Sequence, residues 1–185
     1  MNRLINALGY QLTWFAAVIG AGRGWAWAGP LVLLGFAAWQ LATSRFREAD
    51  LRLILLALVC GLVIDTALVQ SGFARFAAPL PSPYFAPVWR LSLWCAFALT
   101  LNHSLSALKN HALWIASLLG AAAAPLAYLG AARGWHAIDY SDTSVPALLL
   151  IGSAWAVTMP LLVHAARGWT AIPQVSIWRS RRRAA

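Results

Sequence analysis

Apolar residues fall into six long blocks along this chain, and charged residues sit almost entirely in the short breaks between them. A helix crosses the hydrocarbon of a bilayer with roughly 17–25 predominantly apolar residues. The blocks at about 4–21, 25–43, 51–71, 88–108, 111–132 and 145–166 all reach that length. The pattern predicts an all-α fold: a polytopic transmembrane helical bundle of about six spans filling residues 1–172, then a basic tail over 173–185. The breaks carry the expected punctuation. Gly22-Arg23-Gly24 ends the first block, three prolines between 78 and 83 forbid a helix there, and Lys109-Asn110 makes a tight turn. Arg3 followed by an apolar run resembles a secretion signal. Asn6, Gln11 and Thr13 interrupt that run, and Ile19-Gly20-Ala21 is a poor cleavage site, so a retained first helix is expected.

Charge sets the orientation. With the N-terminus inside, ten of the 14 basic residues lie in inner segments and four (Arg23, Arg75, Arg90 and Arg133) in outer ones. Both termini are therefore expected in the cytoplasm, with the bundle crossing the membrane as a multi-pass protein. The segment after the sixth block, Arg167 together with the tail, supplies half of the inner count, and without it the bias is five against four. Composition agrees, at 61% hydrophobic and 10% charged residues with a mean hydropathy of +0.68, where a soluble domain would carry roughly 25% charged residues. The net charge of +9 does not suggest nucleic acid, because the arginines stand singly at segment ends or in the tail. Anionic lipid head groups are the partners that pattern fits.

The same residues define a lipid interface. Arg23 with Trp25, Arg133 with Trp135, Arg167 with Trp169, and Trp178 with Arg181, Arg182 and Arg183 place arginine at phosphate depth beside interfacial tryptophan. Residues 131–138 and 165–172 share Ala-Ala-Arg-Gly-Trp. Helix-ending glycine and interfacial anchoring account for that repetition better than duplication.

Polar residues inside the blocks are the candidate site. Asp65 is the carboxylate that falls within a span, and Arg90 lies at similar depth on the next one. A charge in hydrocarbon costs several kcal/mol, so Asp65 is expected to find a partner. An ion pair with Arg90, a proton or cation site, and a neutral acid bonded to backbone are the three readings. Asn6, Tyr10 and Thr13 share one face of the first span with Gln11 beside them, and Thr100, Asn102, His103, Ser104 and Ser106 form a polar run in the fourth. Interhelical hydrogen bonding explains both groups, and a polar pocket for a head group is the functional alternative. No metal or cofactor is expected. Cys60 and Cys95 lie in apolar blocks without ligand spacing, His103 has no spaced companion, and the loop with His136, Asp139, Tyr140 and Asp142 reads as solvated. No familiar catalytic motif occurs.

The chain resembles a family of small bacterial inner-membrane proteins catalogued only as a domain of unknown function. The resemblance rests on Tyr10-Gln11-Leu12-Thr13-Trp14-Phe15 with Gly20-Ala21; on Gly61, Asp65-Thr66-Ala67-Leu68 and Gly72; on Pro87-Val88-Trp89, Leu93 to Leu101 and Ser104-Leu105; and on Gly120 with Pro125-Leu126-Ala127-Tyr128. It covers nearly all six blocks. Where the family places an apolar residue or Met, this chain has Arg90, which makes an Asp65–Arg90 pair peculiar to it. The resemblance implies a compact helical bundle and a loose association with lipid modification, and it supplies no activity. The expectation is a non-catalytic accessory or scaffold in lipid or envelope metabolism, acting with a membrane-protein partner or a second copy of itself. Two alternatives stand beside it: a small transporter using Asp65, and an intramembrane lipid-modifying enzyme using His103 or Asp65 as base.

Overall fold

The six apolar blocks become six α-helices in the computed structural model, which describes residues 3–140 and 144–171. They are α1 (Arg3–Gly22), α2 (Ala28–Thr43), α3 (Arg47–Gln70), α4 (Val88–Ala98), α5 (Leu113–Trp135) and α6 (Ser144–Ala171). Helices α1, α3, α5 and α6 are long and apolar enough to cross a membrane, and α2 and α4 are shorter apolar helices. The chain is a membrane protein of the all-α class.

The helices run back and forth between two rims. At one rim a two-residue antiparallel ladder joins β1 (Arg75–Phe76) to β2 (Ile138–Asp139), pairing Arg75 with Asp139 and Phe76 with Ile138. The end of α1 meets the end of α5 at the same rim: a side chain on Gly22 would collide with the backbone carbonyl of Trp135. At the opposite rim a 3-10 turn (Ser106–Asn110) lies beside the end of α6, where Lys109 Nζ donates to Thr170 Oγ1 at 3.3 Å.

Helix α4 is the axis of the bundle. It packs against α1, α2 and α3, and eight of its 11 residues are buried, against six of 20 in α1. Eleven helical residues span only about 16 Å at 1.5 Å each, roughly half of a hydrocarbon core. The helix expected to reach Leu108 stops at Ala98 because its polar run turns onto its own backbone. Thr100 Oγ1 donates to the Phe97 carbonyl (2.6 Å) and Ser106 Oγ to the His103 carbonyl (2.7 Å), while Leu105 N closes a turn on the Thr100 carbonyl (2.9 Å). Such local bonds compete with helical ones. Irregular backbone at membrane depth is tolerated only inside protein, and residues 99–103 are all buried.

Candidate functional site

Asp65 sits on α3 with no solvent exposure, and neighbours from two helices close around it. Arg90 of α4 donates Nε to Oδ2 and Nη2 to Oδ1, both at 3.2 Å. Trp94 Nε1, one turn further along α4, donates to Oδ2 at 2.8 Å, and the Tyr128 hydroxyl of α5 donates to Oδ1 at 2.6 Å. These four donors match the four lone-pair sites of a carboxylate. The Arg90 guanidinium lies over the Tyr128 ring, 3.9 Å from its centroid, which adds a cation–π contact in a dry setting. Gly61 makes the arrangement sterically feasible, since any Cβ there would collide with the Trp94 indole one turn from Asp65.

A second buried carboxylate organises the opposite rim. Asp50, in the first turn of α3 and fully buried, accepts from Asn102 Nδ2 (2.8 Å) on Oδ1 and from Ser44 Oγ (2.5 Å) on Oδ2, where His103 Nε2 also lies at 2.9 Å. Lys109 Nζ donates to Asn102 Oδ1 at 3.0 Å. Burial lowers the Lys109 ammonium from its ordinary pKa, and the Asp50 charge opposes that shift. Asn6 forms a separate knot beside this one: its Nδ2 donates to Gln40 Oε1 (2.7 Å) and the Leu99 carbonyl (3.1 Å), and its Oδ1 accepts from Ser104 N and Oγ. Asn6 thus ties α1 and α2 to the turn that follows α4.

Serine, histidine and aspartate together invite comparison with a nucleophilic relay. In such a relay the imidazole uses one nitrogen for the acid and the other for the nucleophile. Here Ser44 Oγ (3.5 Å) and Asp50 (2.9 Å) both face Nε2, and the serine hydroxyl donates to the carboxylate. The geometry is that of a hydrogen-bonded brace.

Between α1, α4, α5 and α6 lies a cleft of about 320 Å³. Small residues on α5, Gly120, Ala123, Ala124 and Ala127, recur on one face and leave the space open, while aromatic side chains form the other walls. Trp94 stacks on Trp155 with centroids 4.4 Å apart, and Phe97 meets Trp155 edge-on at 5.2 Å. The lining includes Leu119, 46% exposed, and the exposed Ala123, so the cleft reaches the outer surface of the bundle. Arg90 lines it as well.

The polar residues singled out from the sequence therefore scatter over four places. Asp65 and Arg90 meet. Asn6, Asn102 and His103 share the far rim but belong to two adjoining networks, Tyr10 lines the cleft with its ring 6.3 Å from Phe97, and Gln11 is exposed on the bundle surface. Arg23, Trp25 and Arg133 are exposed at the ladder rim, where half-buried Trp135 packs edge-on against Trp14 at 5.5 Å. Arg167 donates to the Leu108 and His111 carbonyls beside half-buried Trp169. Asp142, Trp178, Arg181, Arg182 and Arg183 lie outside the described residues, as does the tail. Among the described residues no group of three or more His, Cys, Asp or Glu is placed to hold a metal. Sequence reasoning missed Asp50, Ser44 and Gln40. Asp50 and Ser44 looked like ordinary charged-loop residues, and Gln40, inside an otherwise apolar block, was the one usable signal.

A family model described as "Protein of unknown function (DUF2878)" matches residues 3–161, and the chain belongs to that family. No curated protein and no solved structure matches it.

Proposed function

We propose that this DUF2878 protein is a non-catalytic lipid-binding accessory of the bacterial cytoplasmic membrane, holding one hydrocarbon chain in the cleft between α1, α4, α5 and α6. The cleft carries this reading: its size lies at the lower end for ligand sites, its walls are aromatic and small aliphatic side chains, and it opens sideways where lipid would stand. A transporter built on Asp65 is less well supported, because four donors already occupy that carboxylate and leave no lone pair for a cargo ion. Extraction in native lipid particles followed by mass spectrometry tests the proposal. Ala123→Trp places a large ring in the cleft from an exposed position and should leave the fold intact. It is expected to cut the amount of retained lipid about tenfold, the effect of ~1.4 kcal/mol of lost contact. Equal retention by the variant and the parent would discard the reading.

The ladder rim is proposed to face the periplasm and the Lys109 rim the cytoplasm, with both termini cytoplasmic. Arg45, Arg47, Arg52, Lys109 and Arg167 flank the Lys109 rim, and exposed Trp25 and Trp27 flank the other. A cysteine introduced at exposed Tyr84 should react with an impermeant maleimide in intact cells, and one at exposed Lys109-adjacent Asn110 should not. The reverse labelling would invert the assignment.

A further inference from the structure

Arg90 brings the cleft a charged donor that its aromatic and aliphatic walls lack. The guanidinium uses Nε and Nη2 for Asp65, and neither of these bonds involves Nη1. Arg90 is only 5% exposed, yet it lines the cleft. Arginine has no acceptor and five N–H donors, so Nη1 is a donor-only group on a residue that lines this mostly apolar cleft. Desolvated donors of this kind are costly to leave unmade, and occupation by an acceptor removes the cost. The character of that acceptor follows from the surrounding charge. Asp65 neutralises Arg90 at two contacts, so the site as a whole carries no net charge toward a ligand. An anionic head would stand against the Asp65 carboxylate while losing its hydration, whereas a neutral carbonyl oxygen would accept from Nη1 without either penalty. The cleft runs from Arg90 and Tyr128 toward Leu108 and Leu119, which puts the head beside the pair and the chain along the small-residue face of α5.

We infer that the ligand is a long-chain neutral amphiphile whose carbonyl oxygen accepts a hydrogen bond from Arg90 Nη1. An acyl ester and a long-tailed quinone share that chemistry. The inference rests on chain binding in the cleft, and it adds the identity of the head group and the residue that reads it.

Native mass spectrometry of the full chain in detergent, titrated separately with methyl palmitate, decylubiquinone, hexadecane and palmitate, tests it. Methyl palmitate, decylubiquinone or both should bind about 10-fold to 100-fold more tightly than hexadecane, the range of one hydrogen bond to a charged donor. Palmitate should gain no such advantage. Preference for the ester identifies an acyl-ester ligand, and preference for decylubiquinone identifies a quinone. Arg90→Lys keeps a charge for Asp65 but lacks the second terminal nitrogen, and should erase the carbonyl preference while hexadecane still binds. Should that variant not fold, infrared spectra of 13C-carbonyl methyl palmitate on the unaltered protein decide the matter. A carbonyl stretch at lower frequency than in hexadecane supports the bond, and an unshifted one overturns it. Hexadecane binding as tightly as both carbonyl compounds, or palmitate binding best, overturns the head-group assignment and leaves the cleft reading standing. Failure of all four to bind removes both.

Discussion

Replacing Asp65 with Ala is expected to lower stability by about 3–5 kcal/mol, the cost of leaving a buried charge without its partner. Arg90, Trp94 and Tyr128 would all lose their shared acceptor at once, in a part of the bundle where water cannot readily substitute. The pair itself need not add net stability, since desolvation of two ions offsets much of their attraction. An Asp65→Leu, Arg90→Met double variant should therefore recover the share due to the unpaired Arg90 charge, while Trp94 and Tyr128 stay without their acceptor, and reversible unfolding in mixed micelles measures both. A single variant that loses less than about 1 kcal/mol would mean the pair behaves as an exposed one. If the double variant stays as unstable as the single one, the pair itself is a net stabiliser. Because Arg90 also reads the ligand head in the inference above, the double variant should fold yet fail to discriminate methyl palmitate from hexadecane.

Asp50→Ala is expected to cost about 2–4 kcal/mol, since Asn102 and His103 would be left as buried donors without an acceptor, each worth roughly 1–3 kcal/mol. Ser44 is only partly buried and can turn to solvent, which limits its share. The damage should be local. Residues 100–105 are held by isolated i→i−3 and wider turns instead of a continuous α-helical ladder, and they depend on Asp50 and Asn6 for their shape. Hydrogen exchange in that segment should accelerate well before α5 and α6 lose protection. Uniform acceleration across all helices would show instead that the Asp50 network is part of the global folding unit.

The helical class and the positions of the six apolar blocks were readable from residue order, because apolar run length and charged breaks are local properties. The proximity of Asp65 and Arg90 was readable too, from depth on neighbouring blocks. The early end of α4 was foreshadowed by Thr100-Leu101-Asn102-His103-Ser104, but hydropathy averaging treats such a run as a diluted span and hides the turn. Asp50 illustrates the opposite error. Next to Arg45, Arg47, Glu48 and Arg52 it reads as one more solvated loop charge, whereas the fold packs it with no exposure under α4 and its following turn.

Residue order by itself determined that this is an all-α membrane protein and where its six apolar helices lie, which follows from the free energy of moving each segment out of water. Tertiary structure alone decided that α4 is the enclosed axis, that Trp94 and Tyr128 complete the shell around Asp65, and that a cleft stays open beside Arg90. Those features depend on contacts between residues tens of positions apart, and in particular on the shape left over when the Gly and Ala face of α5 stands opposite aromatic walls. No local pattern encodes a void; it exists only once the surrounding helices are in place.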